Sequence, residues 1–125
     1  MSLCVIAGAA VLKLAADAFT LDWTHSVEKT GWLESWRVET TALRLVEARV
    51  KGSGAGMEPG PDARLVEGWW VWRPGIGAVP TLRLAASDAA PQGWRLCAGG
   101  RCMSVGERAA TDERFRDGAT LKPCD

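Results

Sequence analysis

The sequence predicts an all-β domain: a single antiparallel β-sandwich or partly open barrel of about eight or nine short strands, with at most one short helix. Three observations predict it. Apolar and polar residues alternate at a period of two in stretch after stretch. Gly, Pro, Asp and Ser punctuate the chain between those stretches. Apolar faces at helical spacing are nearly absent.

The first element is the apolar stretch from Leu3 to Leu12. No Lys or Arg precedes it, Lys13 follows it closely, and Gly8 breaks it near the middle. A β-hairpin turning at Gly8, with strands Cys4 to Ala7 and Ala10 to Leu14, is therefore expected over a cleaved export signal, although Ala16-Asp17-Ala18 loosely matches a signal-peptidase site. Phe19, Leu21, Trp23 and His25 then alternate with Thr20, Asp22, Thr24 and Ser26, the pattern of a half-buried strand. Thr30 to Glu34 is expected to turn, leading to a strand over Trp36 to Glu39. Leu43, Leu45 and Ala48 to Val50 form the next strand, rich in branched side chains. Val66 to Trp72, Thr81 to Ala85, Trp94 to Ala98 and Cys102 to Val105 complete the set. Glu107 to Arg116 is the one candidate helix, and its apolar face is weak. From Gly106 onward the sequence is polar, so the β domain is expected over 1–105 and a polar, loosely held C-terminal tail over 106–125. No internal repeat or linker divides the chain.

A chain of 125 residues fits one domain with its own core. Lys and Arg number 15, as do Asp and Glu, and the net charge is zero. The basic residues are dispersed among carboxylates, which argues against nucleic acid or an anionic membrane surface as partner. No apolar run approaches the ~20 residues that span a bilayer, so no membrane span is expected.

The four cysteines are Cys4, Cys97, Cys102 and Cys124, and none forms a Cys-x-x-Cys pair. In Cys97-Ala-Gly-Gly-Arg-Cys102, Gly99-Gly100 suits a two-residue hairpin turn. Cys97 then faces Cys102 in a non-hydrogen-bonded pair, with Cα atoms roughly 4.5 Å apart. Two states stay open at this point: a disulfide if the compartment oxidises, or two buried thiols.

Three segments are candidates for chemistry. The first runs from Trp23 to Thr30 and contains His25, the only histidine. One histidine excludes a multi-histidine metal site in a monomer, and no metal or cofactor is expected. His25 and Ser26 are adjacent on a strand and point to opposite faces, so they cannot act as base and nucleophile. No Gly-x-Ser-x-Gly elbow occurs, and no catalytic residue is assigned. The second segment, Lys51-Gly-Ser-Gly-Ala-Gly-Met-Glu-Pro59, is not a P-loop, because its lysine comes first and Pro59 and Pro61 oppose a following helix. Its glycines fit a tight turn, or an anion-binding nest of backbone amides. The third is tryptophan, with seven in the chain. Trp69-Trp70-Val71-Trp72 carries aromatics on both faces of one strand, so one face needs a loop, a ligand or a partner to cover it.

These residues suggest one site, where the His25-to-Glu28 segment meets the Lys51-to-Glu58 loop. His25, Ser26, Glu28, Lys29 and Glu58 would supply polar groups and charge. Gly54 and Gly56 would supply backbone donors, and Trp32, with Trp23 and Trp36, an apolar wall. Its occupant would be a small organic anion or a protein partner. Two other readings stay open: a small hydrolase-like enzyme using His25 with a carboxylate, and a structural domain that dimerises through its tryptophans.

The segments Phe19 to Lys29, Trp32 to Trp36 and Gly52 to Glu58 resemble the bacterial domain-of-unknown-function family 1850, a likeness running from about residue 3 to residue 105. Members of that family are often encoded beside TRAP-class permeases that use TAXI-type substrate-binding proteins. The resemblance thus implies a non-enzymatic accessory role in solute uptake, with a TRAP/TAXI transporter component as partner. It also implies a periplasmic location, whereas the lack of a clear signal peptide predicts a cytoplasmic one.

Overall fold

Gly8, at a φ of +59°, turns the chain back so that β1 (Ser2–Ala7) pairs antiparallel with β2 (Ala10–Ala15). The structure, a computed structural model, describes residues 1–24, 31–51, 62–88 and 90–124. Next come β3 (Ala18–Thr24), β4 (Gly31–Val38), β5 (Leu43–Lys51), β6 (Arg64–Val66) and β7 (Trp69–Trp72). They are followed by β8 (Ala78–Val79), β9 (Leu82–Ala85), β10 (Trp94–Ala98), β11 (Arg101–Val105) and β12 (Gly118–Cys124). Among the described residues these twelve strands make two open antiparallel sheets. The smaller has the order β2-β1-β12-β9, and the larger β11-β10-β3-β4-β5-β7-β6, with β8 also beside β5.

The period-two pattern explains the packing. Phe19 and Leu21 point inward from β3, as do Leu96 and Ala98 from β10 and Leu43 and Leu45 from β5. They meet Leu3, Val5, Leu14, Leu84, Ala119 and Leu121 from the smaller sheet in one aliphatic core. The expected sandwich is what forms, and neither sheet closes into a barrel. A bulge between Ser35 and Trp36 shifts the β4–β5 register, so Trp36 faces Leu45 while Ser35 faces Glu47. No helix among the described residues is long and apolar enough to cross a membrane.

The structure corrects the sequence reading in several places. Residues 31–34, expected to turn, are the first half of β4. The expected strand Val66 to Trp72 is two strands, because Glu67 and Gly68 take φ values of +51° and +87° and fold it into the β6–β7 hairpin. In place of a helix over Glu107 to Arg116 there is one 3-10 turn, Glu113–Phe115, whose Asp112 cap accepts from the Arg114 amide. The segment 106–125 is not loosely held throughout: β12 lies between β1 and β9, hydrogen-bonded on both sides. Its polar look comes from outward Thr120 and Lys122, while Ala119 and Leu121 are fully buried.

Two disulfides fasten the molecule. Cys4–Cys124 spans 120 residues and joins β1 to β12. Loop-closure entropy makes it worth about 5 kcal/mol, against about 2 for the short loop of the second bond. That second bond, Cys97–Cys102, is the cross-strand pair the hairpin spacing allows, with Cα atoms 4.1 Å apart. The buried-thiol alternative is set aside on both counts, since the sulfurs are joined and Cys102 is exposed.

Candidate functional site

Beyond the aliphatic core, the inner face of the larger sheet carries a row of indole rings. Trp23 on β3 and Trp32 on β4 are register partners, which stacks their rings 6.1 Å apart and 7° from parallel. Trp94 on β10 packs against Trp23 at 5.5 Å, tilted by 54°. Trp72 on β7 meets Trp32 edge-on at 6.1 Å. Four rings thus run in contact across the sheet, within the spacing at which aromatic pairs attract. None is fully buried.

Two polar groups sit in this apolar setting. The indole Nε1 of Trp32 is shielded from solvent and has no hydrogen-bond acceptor among the described residues. Such a stranded donor costs stability unless something bonds it. Glu34 lies two residues along the same face, between Trp32 and Trp36, and accepts a 3.1 Å hydrogen bond from Trp36 Nε1. Burial raises its pKa above the usual carboxylate value, and the bond from Trp36 opposes that rise.

On the outer face, Gly31, Lys51 and Trp69 stand side by side in register, and the Lys51 ammonium lies 5.7 Å from the Trp69 ring. A Cβ at position 31 would lie 3.6 Å from that ring, an ordinary van der Waals contact, so Trp69 packs directly beside β4. Two recesses adjoin Trp23. One, of about 110 Å³, lies between Trp23, Trp94, Ala85, Ser87, Ala90 and Gly93. The other, of about 530 Å³, opens on the outer face beside Asp22, Thr24, Arg95, Cys102 and Ser104.

Of the residues expected to form a binding site, Trp32 is in the row. His25, Ser26, Glu28, Lys29, Gly54, Gly56 and Glu58 lie outside the described residues. The strand ends leading to those two segments are neighbours: Thr24 pairs with Gly31, and Gly31 with Lys51. Trp36 is not part of the wall, for it is stacked on Phe19 at 5.9 Å and belongs to the core. The sequence reading singled out neither Trp94 nor Glu34 as a site residue. Reading Trp32, Glu34 and Trp36 as alternate residues of one strand would have placed the carboxyl beside two indoles.

Residues 19–105 match the family described as Domain of unknown function (DUF1850). The chain belongs to the DUF1850 family. The matched stretch runs from β3 to β11, so it contains all four rings of the row, whereas β1, β2 and β12 lie outside it. It is shorter than the likeness from residue 3 expected from sequence. No curated protein and no solved structure matches this DUF1850 chain.

Proposed function

We propose that this protein is a non-enzymatic accessory module that binds a small organic ligand on the tryptophan row. The observation that carries this reading is the stranded Trp32 N–H within a wall of four contacting rings. A few directed polar groups on an aromatic surface are what small-molecule sites use. Trp32 would donate to an acceptor atom of the ligand. A carboxylate of the small organic anion expected from the sequence would supply such an acceptor. His25, Glu28 and the 51–58 loop would complete the site, since the strand ends that lead to them stand in adjacent register.

The finer part of the proposal is a role in TRAP-type solute uptake, with the ligand or a transporter component as partner. Two disulfides support an oxidising compartment, which agrees with a periplasmic placement. Tryptophan fluorescence titrated with a panel of organic carboxylates tests the binding. A saturable change is expected, and Trp32→Phe should weaken it about fivefold, the worth of one hydrogen bond. A flat response across the panel, or unchanged affinity in Trp32→Phe, would refute this site. Co-purification with a TRAP permease or its binding protein tests the transport role separately.

A further inference from the structure

Cys97–Cys102 differs from the other disulfide in what it does for the fold. The β10–β11 hairpin is already held by five registered residue pairs and by the Gly99-Gly100 turn, both glycines at positive φ. β10 is also paired to β3 on its other side. The bond therefore adds little constraint that the sheet lacks, and opening it leaves the strand order intact.

Its surroundings suit chemistry. Both sulfurs lie on the outer face, away from the core. Cys102 is exposed and borders recesses of about 530, 500 and 520 Å³. Cys97 opens onto the last of these, beside Thr20, Ser35 and Gly99. Arg95, two residues before Cys97 on the same face, donates from Nη2 to Cys102 Sγ at 3.7 Å. Its other terminal nitrogen is 3.8 Å from the Asp22 carboxylate, which draws the guanidinium toward β3 without occupying the donor aimed at sulfur. A cation beside one sulfur of a pair stabilises that sulfur as thiolate.

We propose that Cys97–Cys102 is a thiol–disulfide exchange site whose co-substrate is an external dithiol. One thiolate of the dithiol attacks Cys97 Sγ. The Cys97–Cys102 bond breaks and Cys102 departs as a thiolate, held by the Arg95 guanidinium. The second thiolate of the dithiol attacks its own sulfur in the mixed disulfide and releases the Cys97 thiolate. Both cysteines end protonated, and the dithiol leaves as a disulfide, so two electrons and two protons have passed to this protein. The same steps in reverse let the reduced pair transfer electrons to a disulfide: the Cys97 thiolate attacks it, and the Cys102 thiolate then attacks Cys97 Sγ and releases the external dithiol.

The test uses the full chain, dithiothreitol as the dithiol, timed alkylation and mass mapping of each cysteine. Cys97 and Cys102 are expected to label at least about tenfold faster than Cys4 and Cys124, with circular dichroism unchanged. Arg95→Gln should slow that labelling about threefold or more by removing the charge that stabilises the leaving thiolate, and Arg95→Lys should restore most of it. A surface bond without this function would also reduce quickly, so the Arg95 pair decides. An unchanged rate in Arg95→Gln, equal rates for both disulfides, or loss of the dichroism signal at first labelling would each overturn the proposal.

Discussion

The aliphatic core and the tryptophan row share the inner face of one sheet and are built on different terms. The core interlocks Leu21, Leu96, Val105 and Leu121, all at 0% exposure and without a side-chain polar atom, and its one indole, Trp36, has its N–H bonded to Glu34. The row uses larger rings yet leaves each partly exposed, and it includes a buried donor with no acceptor among the described residues and a half-buried carboxyl. Close packing of branched side chains stabilises the native state, and water-free contact is its only requirement. An incompletely covered aromatic surface with an unspent hydrogen bond gives up stability that a ligand could restore. The contrast separates a part of the molecule built to fold from a part suited to recognition.

The largest effect should come from the core. Leu21→Ala is expected to cost about 2–5 kcal/mol, read from denaturant unfolding, because the two sheets cannot collapse around the missing branch. A loss well under that range would mean that the core carries less than its burial suggests. Trp32→Phe should be far milder, within about 1 kcal/mol, because it keeps a ring in the stack and deletes a donor that bonds nothing among the described residues. A larger loss would show that the N–H has a partner and would erase the distinction.

The smallest effect is one of pH. Glu34 has a folded pKa above its unfolded one, so across that interval the native state holds more protons than the unfolded state. Its contribution therefore falls as pH rises from the ordinary carboxylate range through the raised value. Glu39 and Asp112 run the other way: Arg44 lowers the pKa of Glu39, and Arg114 lowers that of Asp112 to about 2. Both lose stability as pH falls. Subtracting the stability profile of Glu34→Gln from that of the parent isolates the Glu34 slope. A flat difference would place that carboxyl in water.

How much of this was legible in the sequence depends on how local the cause is. The Gly8 and Gly99-Gly100 turns were readable, because a two-residue hairpin needs particular residues at particular positions. So was the alternation of Phe19, Leu21 and Trp23, since a strand displays its buried face in every second letter. Residues 31–34 misled because a glycine and a run of mixed polarity resemble a turn, and their place in the sheet comes from pairing with β3 and β5. β12 was missed for a similar reason: a short strand with outward Thr120 and Lys122 reads as a tail until two neighbours flank it. The tryptophan row required knowing that β10, β3, β4, β5 and β7 are successive neighbours, which no single stretch of sequence encodes.

The position of β12 also bears on synthesis. β1 and β2 leave the ribosome first, yet their partner strand emerges only after the whole larger sheet has been made, 120 positions separating Cys4 from Cys124. Until then β9 lacks its neighbour, and the sheet that covers the greasy side of the larger one is split between the β1–β2 hairpin and β9. Pairings this remote form slowly and leave a half-built chain prone to clumping. Translation arrested before residue 118 should therefore yield a chaperone client rather than a smaller working domain.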